Sequence, residues 1–192
     1  TNGNYWLFVG RGGEGNATVT FDGANLTSAS TNENSGLGIH VSGREKNTDN
    51  KYDGTLVIKN STIELDYLID RGAITIDNAT LTVTNGFGIA GRPAAETEDS
   101  NPATATISLE NGAKLIVNNH NGMGVGQAAS EPEGYGIMNI DATSIFETTQ
   151  KFNISANGTM NNAGTVTING TLTNNGTINL TDVALTGMTI DG

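Results

Sequence analysis

The feature that most narrows the folds open to this chain is a two-residue alternation that keeps breaking off and restarting. It is clearest between residues 69 and 92. There Ile74 and Ile76 alternate with Thr75 and Asp77, Leu81 and Val83 with Thr82 and Thr84, and Phe87 and Ile89 with Gly88 and Ala90. Such alternation places the apolar set on one face of an extended segment and the polar set on the other. Asn78-Ala79 and Asn85-Gly86 interrupt the runs, and Asn and Gly suit tight turns because both tolerate positive φ. No window carries convincing helical periodicity.

The same frame returns along the chain. A glycine-bearing strand recurs as Leu7–Arg11, Leu37–Arg44, Leu68–Arg71, Gly88–Arg92 and Met123–Gln127, with a degenerate copy at Phe152–Ser155. A Thr-rich strand follows each one, and after most of these comes a small turn and a third strand. Successive copies, measured from Phe8 to Ile39, Ile69, Ile89, Val125 and Ile154, lie 31, 30, 20, 36 and 29 residues apart. A unit that is compact in one copy and swollen in others is a solenoid of fixed coil with variable loops.

The expected fold is therefore all-β: a right-handed single-chain parallel β-helix of about six coils, each of three short strands, forming one domain over residues 1–192. Its inward ladder should run Val19, Leu56, Ile74, Ile107, Met138, Val166, with Ile76 between Ile58 and Leu109. The first coil spans residues 1–30, with Trp6 either capping the open end of the core or serving as a stacking platform for a sugar ring.

Composition removes several classes of function. The 192 residues carry a formal charge of −11 and no cysteine. The charge argues against nucleic acid and anionic membrane as partners. The missing thiols argue against a disulfide scaffold and a cysteine nucleophile. No apolar run approaches the roughly 20 residues of a transmembrane helix, so no membrane insertion of this segment is expected. Glycine accounts for 26 residues, well above the usual share of about 7%, as a turn every few residues requires. The opening at Thr1 without a signal-peptide pattern suggests a piece of a longer surface protein.

Two stretches carry a resemblance. VGRGGEGNATVTFDGA (9–24) and GTVTINGTLTNNGTINL (164–180) resemble the strand-loop-strand repeats of bacterial autotransporter passengers and related surface adhesins. The resemblance covers most of the chain and implies export to the bacterial cell surface, an extracellular rod-like stalk, and adhesion or self-association. It implies as partner a host or bacterial surface glycan or protein, or another copy of the chain. The alternative is a carbohydrate-binding or carbohydrate-active β-helix, of the polysaccharide lyase, hydrolase or phage tailspike type.

Catalytic signatures are sparse. Glycoside hydrolysis needs two carboxyl groups flanking one bond; the candidates are Asp66 with Asp70, or Asp77 with Glu110. Asp77, Glu110 and Asp141 end the same strand in successive coils, where Asp is commonly turn chemistry. His40 and His120 have no Ser or Cys partner in pattern. No catalytic residue, resident metal or cofactor is expected. Asn47, Asp49, Asn50 and Asp53 alternate loosely as a calcium loop would, without the spacing of a defined motif. The Thr-X-Thr pairs shift between strands, which a flat ice-binding array does not allow.

One concentration stands above background. Arg11, Arg44, Arg71 and Arg92 follow the first strand of successive coils, with Gln127 in the fifth. The long insertions begin at that same corner and carry acidic residues, among them Glu96, Glu98 and Asp99. Salt bridges that tie down the loops would account for this. A loop-bearing recognition edge, with these residues binding a ligand, is the functional reading.

Overall fold

The computed structural model describes residues 5–10, 16–28, 36–43, 53–91, 103–118, 124–126, 134–181, 185–186 and 189–191. The first coil is β1 (Tyr5–Val9), β2 (Ala17–Asp22) and β3 (Asn25–Thr27). The second is β4 (Leu37–Val41), β5 (Gly54–Lys59) and the first half of β6 (Thr62–Asp70). β6 bends at a register shift between Leu65 and Tyr67 and continues into the third coil, with β7 (Ala73–Asp77) and the first half of β8 (Thr80–Ile89). The rest of β8, β9 (Thr104–Glu110) and β10 (Lys114–Val117) make the fourth. The fifth is β11 (Gly124–Val125), β12 (Tyr135–Ile140) and β13 (Ile145–Thr148). The sixth is β14 (Phe152–Ile154), β15 (Gly158–Asn162) and β16 (Thr165–Ile168). The seventh is β17 (Thr171–Asn174), β18 (Thr177–Leu180) and β19 (Leu185–Thr186), and β20 (Thr189–Asp191) opens an eighth.

Every pairing among these strands is parallel, and each joins a strand to its counterpart one coil away. The result is a parallel β-helix with three faces. Face one holds β1, β4, the second halves of β6 and β8, β11, β14, β17 and β20; face two holds β2, β5, β7, β9, β12, β15 and β18; face three holds the rest. Face two is a sheet of its own, whereas β6 and β8 bridge faces one and three into a single 13-stranded sheet.

Inward side chains stack in files. On face two, Val19, Leu56, Ile74, Ile107, Met138, Met160 and Ile178 form one file. Phe21, Ile58, Ile76, Leu109, Ile140, Asn162 and Leu180 form the next. On face three, Leu26, Ile63, Leu81, Leu115, Phe146 and Val166 line up. The middle coils are sealed, while Leu7, Val19, Phe21 and Leu26 in the first coil stay partly exposed, because no described strand stacks beyond them.

The expected parallel β-helix is thus present, with two differences. There are seven coils and the start of an eighth where about six were expected. Val166 stacks on Phe146 of face three, not on Met138 of face two, and Leu172 continues the file of Phe152. The strand passed over in the sequence is β15, whose Thr-Met-Asn-Asn run has a single apolar inward residue, so no alternation flags it.

Three corners share an Asx-X-Gly sequence. Asp70, Asn162 and Asn174 each end a strand and accept, through Oδ1, a hydrogen bond from the backbone N–H two residues on, at Gly72 (3.0 Å), Gly164 (3.0 Å) and Gly176 (3.1 Å). The glycine in third place is required by crowding: a Cβ at Gly72 would lie 2.3 Å from the Gly54 carbonyl oxygen, and one at Gly164 2.3 Å from that of Asp141. Between faces two and three, the second to fourth coils instead use asparagine in the left-handed region, with Asn60, Asn78 and Asn111 at φ 50°, 46° and 56°, where Asn is tolerated better than most residues.

Ile76 is fully buried between Ile58 and Leu109, while its neighbour Thr75 faces out. Ile76→Ala should therefore cost roughly 2–5 kcal/mol and Thr75→Ala well under about 1 kcal/mol. Chemical denaturation of the two variants checks this; equal losses would mean that the inward and outward rows are misassigned.

Candidate functional site

Three long insertions share one corner, between faces one and two. Residues 44–52 leave after Gly43 and return by Gly54, whose N–H donates to the Ser42 carbonyl at 2.7 Å. Residues 92–102 leave after Gly91 and return at Ala103, and a Cβ on Gly91 would stand only 1.9 Å from the Ala103 carbonyl oxygen. Residues 127–133 leave after Gly126, and a Cβ on Gly136 would lie 2.6 Å from the Gly126 nitrogen. The third coil turns the same corner with Arg71-Gly72 alone, and the seventh with Asn175-Gly176. Each insertion therefore departs from and rejoins a closed corner, in register with those of neighbouring coils.

Of the residues proposed for this edge, Arg71 lies within the described residues; Arg11, Arg44, Arg92, Gln127, Glu96, Glu98 and Asp99 lie outside them. So do Asn47, Asp49 and Asn50 of the loose calcium pattern, and His120. The backbone N–H of Arg71 donates to the Val41 carbonyl, and Ser42, Ala90 and Gly126 make the equivalent bond in their own coils. Arg71 thus shares a register with Ser42, Ala90 and Gly126, ahead of Arg44, Arg92 and Gln127 in the chain. It is also buried, at 4% exposure, so its guanidinium is packed into the corner. Among the described residues, no group of three or more His, Asp or Glu side chains converges as a metal site would.

Of the carboxylates named as catalytic candidates, Asp66, Asp70 and Asp77 take part in holding the coil together. Asp66 sits at the bend of β6; its Oδ2 accepts from the Ser28 hydroxyl and from the Leu37 N–H (2.8 Å), joining both sides of the 29–35 insertion, and its Oδ1 accepts from Thr84 Oγ1 at 3.4 Å. Asp70 is fully buried in an inward file between Val41 and Ile89. Burial pushes its carboxyl well above the usual carboxylate range, against the opposing Gly72 hydrogen bond. Its Oδ2 has no hydrogen-bond partner, as suits a protonated acid standing where Asn162 and Asn174 stand at other corners.

Asp77 and Glu110 are register partners, and with Asp141 they run down one edge as expected. The row is knit by the corner asparagines: Asn78 Nδ2 donates to Asn60 Oδ1 (3.0 Å), and Asn111 Nδ2 to Asp77 Oδ1 (2.8 Å). Asp141 accepts from the Asn111 N–H (2.7 Å) and from both the N–H and hydroxyl of Thr143 (2.9 Å each). Partial burial alone would raise its carboxyl, but the hydrogen bonds it accepts, those from Asn111 and Thr143 among them, outweigh it and lower the pKa to about 2. A carboxylate held that low cannot serve as a general acid near neutrality.

Beside this row, face two carries a shallow groove of about 300 Å³, floored by Ser108, Asn139, Asn161 and Asn179. The three asparagines are outward register partners, and each amide donates to the preceding residue of the file, at 3.3, 2.8 and 2.7 Å. Such a file satisfies itself down its length, which makes it a support for the sheet before anything else.

One surface differs in character. Trp6 and Phe8 point outward from β1, so Trp6 does not cap the core. The Trp6 ring lies over Gly38, where a Cβ would come within 2.6 Å of it. Across that glycine it meets Tyr67, with centroids 5.6 Å apart and planes 33° apart, and on its own strand it meets Phe8 at 6.3 Å and 30°. Phe8 in turn lies 5.5 Å from the His40 ring. Sequence reasoning singled out Trp6 but missed its partners, because Phe8, Gly38 and Tyr67 come together only through the coil register. No family model matches the chain, nor does any curated protein or solved structure.

Asp70 yields a pH test. Its folded pKa is raised, so the folded state holds a proton that the unfolded state releases above about pH 3.9. Stability is then full below that pH and falls as pH rises toward the folded pKa. Asp70→Asn keeps the corner hydrogen bond and removes the titration. The variant's melting midpoint should match the parent's near pH 3.5 and exceed it increasingly toward pH 7. Parallel midpoint profiles would show that Asp70 is not held protonated.

Proposed function

We propose that this chain is a non-enzymatic attachment module of the bacterial cell surface, in which the β-helix is the rod and the insertion-bearing edge is the recognition surface. The observation that carries this reading is the shared corner. Four coils bear long excursions there, at residues 10–16, 42–53, 90–103 and 126–134, while the third and seventh coils pass it in two residues. The coil does not need the excursions, and loops carried on a rigid scaffold are where recognition concentrates. The described carboxylates favour binding over catalysis: Asp66, Asp77 and Asp141 are engaged in corner and clamp hydrogen bonds, and Asp70 is buried. Export and a surface location rest on the resemblance of residues 9–24 and 164–180 to autotransporter passenger repeats. No helix among the described residues is long and apolar enough to cross a membrane.

A second reading, carbohydrate binding by the outer face of the solenoid, is favoured by the outward rings of Trp6, Phe8 and Tyr67.

The test is to delete residues 93–101 and display parent and variant on cells. Closing a surface loop of this length has a small entropic consequence, so the purified variant should melt within a few degrees of the parent. Attachment to host cells or autoaggregation should drop several-fold. Unfolding of the variant would make the insertion part of the core, and undiminished attachment would remove it from the recognition surface.

A further inference from the structure

We infer that Trp6, Phe8 and Tyr67 form a stacking platform for a neutral glycan chain on the outer face of the first three coils. The inference rests on the attachment reading and names the ligand class and the residues.

The rings are arranged as a floor. Trp6 contacts both Phe8 and Tyr67, with interplanar angles of 30° and 33°, and all three rings project from the same outer face. The gap that lets them do so is Gly38, the register partner of both Trp6 and Tyr67; any side chain there would collide with the indole. An outward ring is not drawn into the core, and Phe8 remains 39% exposed.

A floor selects its ligand. Rings that grip a cation surround it from several sides, and these project from one face of one sheet. The ring face carries the negative end of the aromatic quadrupole, which suits the polarised C–H bonds on the flat face of a pyranose. The net charge of −11 opposes a polyanion. A second copy of the chain fits less well: three rings that can each bury about 150–250 Å² fall short of the roughly 800 Å² per side of a stable protein interface. The platform has the area of a short run of linked sugars.

Trp6 is the only tryptophan, so its emission reports directly on occupancy. The full chain is titrated with cellohexaose, maltohexaose, chitohexaose and mannohexaose, by Trp emission and by calorimetry, with polygalacturonate and a Lys-rich peptide alongside. At least one neutral hexasaccharide should shift the emission saturably. Phe8→Ala and Tyr67→Ala should each weaken it roughly tenfold or more, the scale of a truncated aromatic anchor. Tyr67→Phe, which keeps the ring, should retain the affinity, and Thr75→Ala on face two should bind as the parent does. The proposal is overturned if no neutral sugar perturbs Trp6, if the ring-deleted variants bind as tightly as the parent, or if the polyanion or the peptide binds more tightly than every sugar. Attachment of displayed cells that survives Tyr67→Ala would sink the platform and leave the attachment reading standing. Sugar binding by purified protein whose displayed form attaches to nothing would do the reverse.

Discussion

Each inward side chain of the middle coils lies between two others supplied by the coils before and after it, and the rest of the structure depends on that stacking. Parallel backbone ladders fix the repeat along the axis, and the period-2 pleat decides which residues enter the file. A slip of one residue would turn Leu56, Ile58 and their equivalents outward and bring Thr and Asn inward, so the register is strongly specified wherever both neighbours are apolar. Where the stack has no next member among the described strands, at Leu7, Val19, Phe21 and Leu26, the same residue types stay partly exposed.

The stacking has a consequence for polar chemistry. A residue type that suits a corner in one coil meets its equivalent in the next, so asparagines and carboxylates come to lie in rows. Those rows look like sites in a sequence. In the structure Asn111 joins Asp77 to Asp141 across coils, Asn78 joins Asn60, and Asp66 clamps two sides of an insertion. The insertion edge and the outward rings of the first coils are the surfaces that the stacking does not consume.

Where alternation is strong, the fold was legible in the sequence. Residues 54–118 show apolar-polar runs bounded by Asn and Gly, and the expected file of Val19, Leu56, Ile74, Ile107 and Met138 is the one found. Legibility failed at β15, where the inward residues are Met160 and Asn162, and Val166 of β16 was then placed on face two instead of face three. The common corner of the long insertions was legible from spacing, because the strands before them, β4, β8 and β11, carry glycine. The offset of Arg71 from the other arginines was not, since spacing alone does not say that Arg71 aligns with Ser42 and Ala90. The aromatic floor lay beyond the sequence altogether, because Trp6 and Tyr67 are brought together only by a glycine in the intervening coil.

The central claim is the coil register, and the absence of native cysteine makes it directly measurable. Outward positions that are register partners in adjacent parallel strands lie within the span of a disulfide, whose Cα atoms are about 4.4–6.8 Å apart. The structure pairs Asn139 with Asn161, whereas a six-coil reading would place Asn139 beside Thr167. Paired cysteines at 139 and 161 should cross-link quantitatively under mild oxidation in the folded protein, and cysteines at 139 and 167 should not. Cross-linking of the 139–167 pair in preference to 139–161 would contradict the seven-coil register.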